Sequence, residues 1–234
     1  MGFSRYNSRK EAGKILSNLL ESQDKELYKK TINHPDDCFS FAIPNGGIPV
    51  AEGFCSELKI KYDILIVRKI KIPYNPEAGF GSVTTDGTIL LNQDLLSHLN
   101  LNEKEIKKSI EKTKQEIQDR LQFYGKGRKR AEKYINVVQG KNIFMIDDGL
   151  ASGFTMLAAI KMVKKYNPKS VYLAVPTAPR RTVEKIKSDV DKIFCPNVKE
   201  VLRFAVADAY KHWYDVPKGK IFELLSRSEY YYDI

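Results

Sequence analysis

Hydrophobic positions recur along the chain with two periods, one helical and one extended, in alternating blocks. Ala12, Ile15, Leu16, Leu19 and Leu20 share a helical face, and Ser8 with Glu11 forms a capping-box pair in front of them. A polar stretch through Asp36 follows. Residues 38–43 are a short apolar run stopped by Pro44, which predicts a buried strand. Pro44-Asn45-Gly46-Gly47 then turns the chain into a helix over 48–58, with Pro49 in its first turn. Residues 62–67 read as a second buried strand, 68–78 as a Lys- and Pro-rich loop, and 79–91 as a β-hairpin turned at Asp86-Gly87. Asn102 and Glu105 form another capping box, and Ile106, Ile110, Ile117 and Leu121 carry a long, charged helix forward. Residues 124–133 lack apolar periodicity and read as a loop. Strands are predicted at 142–146, 170–175 and 190–195, with helices over 154–166 and 180–187.

Strands alternating with helices imply βαβ units. The expected fold is a three-layer α/β/α arrangement around a mainly parallel central sheet. Such sheets bind ligands outside the carboxyl ends of their strands, so the informative residues are those just after each strand. The expected organisation is a single domain over 1–234, with a helix and basic loop inserted at about 102–140.

Composition narrows the class. The chain has 234 residues, is 42% hydrophobic and carries a formal net charge of +10, which excludes a disordered polyelectrolyte. No apolar run approaches the roughly 18 residues of a membrane span. The first residues hold no apolar signal core, and Tyr6 occupies the Ser/Thr position of a myristoylation motif. Cys38, Cys55 and Cys195 are odd in number and far apart, so a disulfide framework is not expected and a cytoplasmic location is. His34, His98 and His212 are scattered, without metal-ligand spacing. Residues 104–141 hold twelve Lys and Arg against five Asp and Glu. That segment is either a solvated helix face with a basic loop, or a field that attracts nucleic acid or a phosphate-rich small molecule.

The strongest local signal is at 142–155. A buried strand ends in Asp147 and Asp148, and a small-residue turn with Ser152, Gly153 and Thr155 opens a helix. Backbone N–H groups at a helix start, with two hydroxyls, can cradle a phosphate. Adjacent carboxylates can accept hydrogen bonds from vicinal hydroxyls or help hold a hydrated divalent cation. The plain alternative is a turn with Ser152 as an N-cap. The order Gly-x-x-Ser-Gly is not a nucleophile elbow, and no Lys follows the glycines as in a Walker loop.

This motif resembles the fingerprint of the type I phosphoribosyltransferase family: an apolar strand, two acidic residues and a Thr/Ser-Gly-x-Thr phosphate loop. Residues 41–50, Phe-Ala-Ile-Pro-Asn-Gly-Gly-Ile-Pro-Val, look like that family's pyrophosphate loop. Residues 63–69, 75–77, 79–82 and 175–179 are similar to an uncharacterised branch of it. The resemblance implies the type I fold with a small C-terminal hood, for which Phe204, Tyr210, Trp213 and Tyr214 are candidates alongside core or subunit packing. It implies that Asp147 and Asp148 hold the ribose hydroxyls of phosphoribosyl pyrophosphate (PRPP). Ala151, Ser152, Gly153, Phe154 and Thr155 would bind its 5-phosphate. Asn45, Gly46, Gly47, Arg68 and Lys69 would face the pyrophosphate, and Mg²⁺ would bridge pyrophosphate and ribose, reaching Asp147 and Asp148 only indirectly.

Three departures stand out. Asn45 replaces the usual Arg of the nearest branch, and Phe154 replaces a small residue. Ala151 stands where 6-oxopurine enzymes carry an Asp, which disfavours hypoxanthine, guanine or xanthine as acceptor. The basic segment gains a role as a loop closing over substrate, with Arg120, Tyr124, Lys126, Arg128, Lys129 and Arg130 as its candidates. The expected activity is Mg²⁺-dependent phosphoribosyl transfer to a nitrogenous base or related nucleophile. The alternative is a PRPP- or nucleotide-sensing regulator binding RNA or DNA through the basic segment. A homodimer and no membrane partner complete the expectations.

Overall fold

The structure is a computed structural model and describes residues 4–125 and 131–233. Helices α1 (Arg9–Gln23) and α2 (Lys25–Asn33) lead into strand β1 (Cys38–Ala42) and helix α3 (Gly47–Leu58). Strands β2 (Tyr62–Ile64), β3 (Val67–Ile72), β4 (Asn75–Thr84) and β5 (Ile89–Leu91) come next, then helices α4 (Gln93–Ser97), α5 (Glu103–Phe123) and α6 (Ala131–Val138). Strand β6 (Asn142–Ile146), helix α7 (Phe154–Lys164) and strands β7 (Ser170–Ala174) and β8 (Thr177–Pro179) continue the βα alternation. Helix α8 (Arg180–Ile186), strands β9 (Lys192–Phe194) and β10 (Asn197–Lys199), and helix α9 (Lys218–Arg227) complete it.

Five strands form one parallel sheet in the order β2-β1-β6-β7-β9. Each central strand is apolar on both faces, as a sheet covered twice requires. From β1 and β6, Cys38, Ala42, Phe144 and Ile146 join a core with Leu16 of α1, Phe54 of α3, Leu121 of α5 and Ile221 of α9. Phe39, Phe41, Ile143 and Met145 point the other way, into a second core with Tyr134 of α6, Ala159 of α7 and Ile186 of α8. Two cores on two faces make the three layers expected.

Several boundaries differ from the sequence expectation. The polar stretch before β1 contains α2, whose N-cap is the Asp24 carboxylate accepting from the Leu27 N–H. Only Leu27 and Thr31 of this helix are fully buried, too short a stripe to stand out. The strand expected over 62–67 divides: β2 ends at Ile64, and β3 starts at Val67 in a separate sheet. The loop expected over 68–78 is mostly strand. Val67, Ile70 and Ile72 are buried while Arg68, Lys69 and Lys71 are not, so Lys residues mask a half-buried strand. With β4 and β5 it forms an antiparallel ribbon in the order β3-β4-β5, turned at Gly87 with φ of 85°. Helix α6 begins at Ala131, inside the loop expected to reach residue 133. The short parallel pair β8–β10 and helix α9 have no counterpart among the elements the sequence pattern predicts.

Both capping boxes lie where the sequence puts them, though differently completed. Asn102 and Glu105 exchange both bonds. Ser8 Oγ accepts from the Glu11 N–H, but the Glu11 carboxylate turns to Asn7 instead. No helix among the described residues is long and apolar enough to cross a membrane.

Candidate functional site

The carboxyl ends of β1 and β6 lie side by side, and the chain after each strand turns toward the other. The Ile43 N–H bonds the Ile146 carbonyl at 2.9 Å, which extends the pairing one residue past the strands. Beyond it, Gly46 and Gly47 open α3 directly against the acidic pair. A Cβ on Gly46 would lie 1.8 Å from Asp148 Oδ2, and one on Gly47 would lie 3.0 Å from Asp147 Cα. The two glycines are therefore there for close approach rather than for an unusual backbone: Gly46 has φ of −64°. The Pro44–Asn45 peptide is cis. Asp147 Oδ1 accepts the Asp148 N–H at 2.8 Å. Burial, and then the charge of Asp148, hold the Asp147 carboxyl well above the ordinary carboxylate range.

A third element reaches the pair. Arg9, at the start of α1, is 6% exposed and places Nε 2.8 Å from Asp148 Oδ2. Its Nη1 donates to the Tyr214 carbonyl at 3.0 Å, and its guanidinium lies 4.2 Å from the Trp213 ring centre. Tyr210 Oη donates to the Asp148 carbonyl at 2.7 Å. Burial and the Asp148 charge raise its phenol, so it remains a donor. The N- and C-terminal segments are also tied directly by a Tyr6–Tyr210 bridge. Tyr210, Trp213 and Tyr214 thus fold over Asp148, while Phe204 lies farther along the same segment, beside the 151–155 loop.

Asn45 is a junction. Its Nδ2 donates to the Val216 carbonyl at 3.0 Å, while its Oδ1 receives Arg120 at 3.3 Å and Tyr124 at 3.2 Å from the end of α5. Arg68 comes from β3 into the same neighbourhood. Burial, and then the nearby Arg68 charge, lower the Arg120 guanidinium from its usual value. Arg68 is half-buried, pairs with Glu116 at 3.5 Å and keeps Nε buried without a partner among the described residues. Lys69 lies on the opposite face of β3, exposed, with its ammonium on the Glu77 carbonyl. The fold therefore brings Asn45, Arg68, Arg120 and Tyr124 together and turns Lys69 away. Lys126, Arg128, Lys129 and Arg130 of the expected closing loop lie outside the described residues.

The loop at 151–155 opens α7. Gly153 has φ of 73°, a left-handed backbone suited to glycine. Helix α8 packs directly on this loop. Thr182 Oγ1 donates to the Ala151 carbonyl at 2.6 Å, and a Cβ on Gly153 would lie 2.6 Å from Thr182 Cγ2. Ala151 and Ser152 are exposed, Phe154 and Thr155 half-buried. The Lys185 ammonium lies 5.4 Å from the Phe154 ring centre, so that ring is covered from the α8 side.

Burial pushes all three thiols up, Cys195 to about 12, so none is a ready thiolate nucleophile. Chemically, the assembled residues offer paired carboxyl groups for hydroxyls, guanidinium groups for an anion, and N–H and hydroxyl donors for a phosphate.

A family model described as the phosphoribosyl transferase domain matches residues 25–209, from the start of α2 to the residue before Tyr210. The chain belongs to the phosphoribosyl transferase domain family. In two strains of Mycobacterium tuberculosis a protein named "Putative phosphoribosyl transferase" is 30% identical over 186 residues, covering 80% of this chain. That alignment takes in 41% of the relative, so the chain spans about two fifths of the length of the curated relatives it matches. The crystal structure of TT1426 from Thermus thermophilus superposes with a TM-score of 0.70 at 25% identity, over 96% of this chain and 99% of that one.

In this phosphoribosyl transferase domain the residues that sequence reasoning left out of the site are Arg9 and Thr182. Arg9 looks like an ordinary first-turn residue of α1. Its one sequence signal is that it is charged at a position the helix buries. Glycines mark the close crossing that carries it there: a Cβ on Gly13 would lie 2.0 Å from the Val50 carbonyl of α3.

Proposed function

We propose that this domain transfers a 5-phosphoribosyl group between PRPP and a nitrogenous base or related nucleophile, with Mg²⁺ accompanying the pyrophosphate. The observation that carries the reading is the closure of the Gly46–Gly47 turn on Asp147 and Asp148, one turn of chain away from the hydroxyl-bearing loop that opens α7. In this reading the Asp147 and Asp148 carboxyl groups accept hydrogen bonds from the ribose 2- and 3-hydroxyls. The backbone N–H groups and hydroxyls of 151–155 take the 5-phosphate. Gly46 and Gly47 allow the pyrophosphate to approach the main chain, and Arg68 and Arg120 supply positive charge near it.

The chemistry is displacement at the anomeric carbon. The bond from that carbon to the pyrophosphate oxygen breaks, its electron pair leaves with pyrophosphate, and the acceptor nitrogen forms the new bond. Charge develops on the leaving group and on an oxocarbenium-like sugar, so the protein acts by positioning and by electrostatic stabilisation. No covalent nucleophile is needed.

Mg²⁺ typically takes one or two carboxylates and draws its other oxygens from water and substrate phosphates. Asp147 and Asp148 fit an ion delivered that way, and no third acid or histidine joins them into a cage among the described residues. When bound, the ion supplies positive charge to the departing pyrophosphate. Ala151 leaves the base proton without a carboxylate at that position, which disfavours 6-oxopurines.

Pyrophosphate release from PRPP and Mg²⁺ across a panel of bases tests the reading. Turnover with at least one base is expected, and Asp148→Asn should abolish it. Absence of turnover with every base, or an unimpaired Asp148→Asn variant, would sink it.

A further inference from the structure

Asp148 faces the glycine turn, and Gly46 presents no side chain that could orient its carboxylate. Arg9 does so from 139 positions away. Its Nε donates to Asp148 Oδ2 at 2.8 Å, in a pair whose side chains are 6% and 14% exposed. A carboxylate has about four acceptor positions on its two oxygens, and one guanidinium N–H spends one of them. Arginine only donates, so Arg9 can fix this carboxylate and leave it able to accept hydrogen bonds from hydroxyls.

Arg9 is in turn held in place. Its Nη1 donates to the Tyr214 carbonyl at 3.0 Å. Its guanidinium carbon lies 4.2 Å, 5.4 Å and 5.5 Å from the ring centres of Trp213, Tyr210 and Tyr214. The backbone beside it is pinned as well: a Cβ on Gly53 of α3 would lie 2.0 Å from the Lys10 carbonyl. Helix α3 starts at the same glycine turn that meets Asp148, so one helix locates both the turn and the arginine. Burying an arginine costs desolvation free energy, which an exposed place in the first turn of α1 would avoid.

We propose that Arg9 is a positioning residue for the sugar: it sets the Asp148 carboxylate at the angle that receives a ribose hydroxyl, and the aromatic segment 210–214 holds Arg9 in that setting. The proposal rests on the 5-phosphoribosyl reading above and deepens it. Selection of a sugar that carries its vicinal hydroxyls then depends on a side chain that acts through Asp148 rather than on the sugar, and on the rings behind it.

Calorimetric titration of the full chain with ribose 5-phosphate and with its 2,3-dideoxy analogue, which lacks both hydroxyls, tests it. The variants are Arg9→Met, which keeps an unbranched side chain without the charge, and Trp213→Ala, at an exposed ring. Thermal melts check that each is folded at the assay temperature. Wild type should prefer ribose 5-phosphate, and Arg9→Met should cut that preference by about 10-fold while binding the dideoxy analogue as wild type does. Trp213→Ala should cut it by about 2- to 5-fold, the worth of one cation–π contact. A brace with no role at the sugar would weaken both compounds alike, so equal losses would overturn the proposal. An unchanged preference in either folded variant would overturn it too. If Arg9→Met melts below the assay temperature, Trp213→Ala decides alone. Wild-type protein that binds both compounds equally, or neither, would sink the ribose site and the transferase reading with it. Wild-type protein that turns over PRPP, with its sugar preference intact in folded Arg9→Met, would sink the role of Arg9 alone.

Discussion

A single methyl group at position 46 tests how closely the two loops of the site meet. Gly46 has φ of −64° and ψ of −34°, which alanine adopts freely, so backbone strain contributes nothing to Gly46→Ala. The new Cβ would lie 1.8 Å from Asp148 Oδ2, 2.3 Å from its Cγ and 2.9 Å from its Oδ1. Ordinary contact begins near 3.4 Å, so the nearest oxygen must retreat by about 1.6 Å, the difference of 3.4 and 1.8. All three carboxyl atoms are too close, so a simple rotation does not relieve the clash. The group has to move as a whole, and it pulls away from Arg9 Nε, now 2.8 Å distant.

Losing a charge-assisted hydrogen bond costs about 1.5–3 kcal/mol, and crowding a packed site about 1–3 kcal/mol. Asp148 retains 14% exposure, so its displaced carboxylate can reach water, which places the total near about 3 kcal/mol. Urea denaturation measures the loss, with the slope checked for constancy. Gly46→Ala made in an Asp148→Ala background decides the cause. With the carboxylate gone, the methyl should cost under about 1 kcal/mol, a coupling of about 2 kcal/mol between the sites. Equal costs in the two backgrounds would refute the reasoning.

Other consequences follow from the same neighbourhood. A carboxyl raised on folding, as Asp147 is by burial and by Asp148, binds its proton more tightly in the folded state. Its stabilisation is complete below the unfolded value of 3.8 and drains away as pH rises through the raised value. Asp147→Asn should therefore gain stability relative to wild type between pH 4 and pH 8, and a difference that is flat across thermal melts at those pH values would contradict it. Asn45→Ala removes bonds to Val216, Arg120 and Tyr124 at 3.0, 3.3 and 3.2 Å, and leaves buried partners unsatisfied. A loss of about 2–3 kcal/mol is expected in urea, and a loss under about 0.5 kcal/mol would show that the junction does not hold α5 to the loop.

The parts of the fold legible in the sequence are those where local chemistry and burial agree. Residues 143–146 are apolar on both faces and are followed by two acids, and β6 spans 142–146. The Asn102–Glu105 box starts α5 because its bonds are made within four residues. Where charge masks burial, the pattern misleads. Ile70 and Ile72 alternate with Lys69 and Lys71 and share one core, while Val67 faces the other, so the charged residues make a strand read as a loop. Two-residue stripes, as on α2, are too short for periodicity to register. Pairing between β8 and β10 joins residues twenty apart in sequence, and nothing local announces it.

By itself the sequence determined the alternation of strands and helices, the acidic pair after one strand and the glycine turn after another. These are local consequences of side-chain burial, capping and backbone freedom within a few residues. Only the tertiary structure decided which charges attend the pair. Arg9 reaches Asp148 because α1 crosses α3 at glycine-close range, from 139 positions away. Arg120 reaches Asn45 from the end of a separate helix, and Lys69 turns outward because neighbours on a strand face opposite ways. Arg181 and Lys185 lie at the 151–155 loop because Thr182 and Ile186 are packed against it. Long-range packing, which no window of sequence contains, sets these distances.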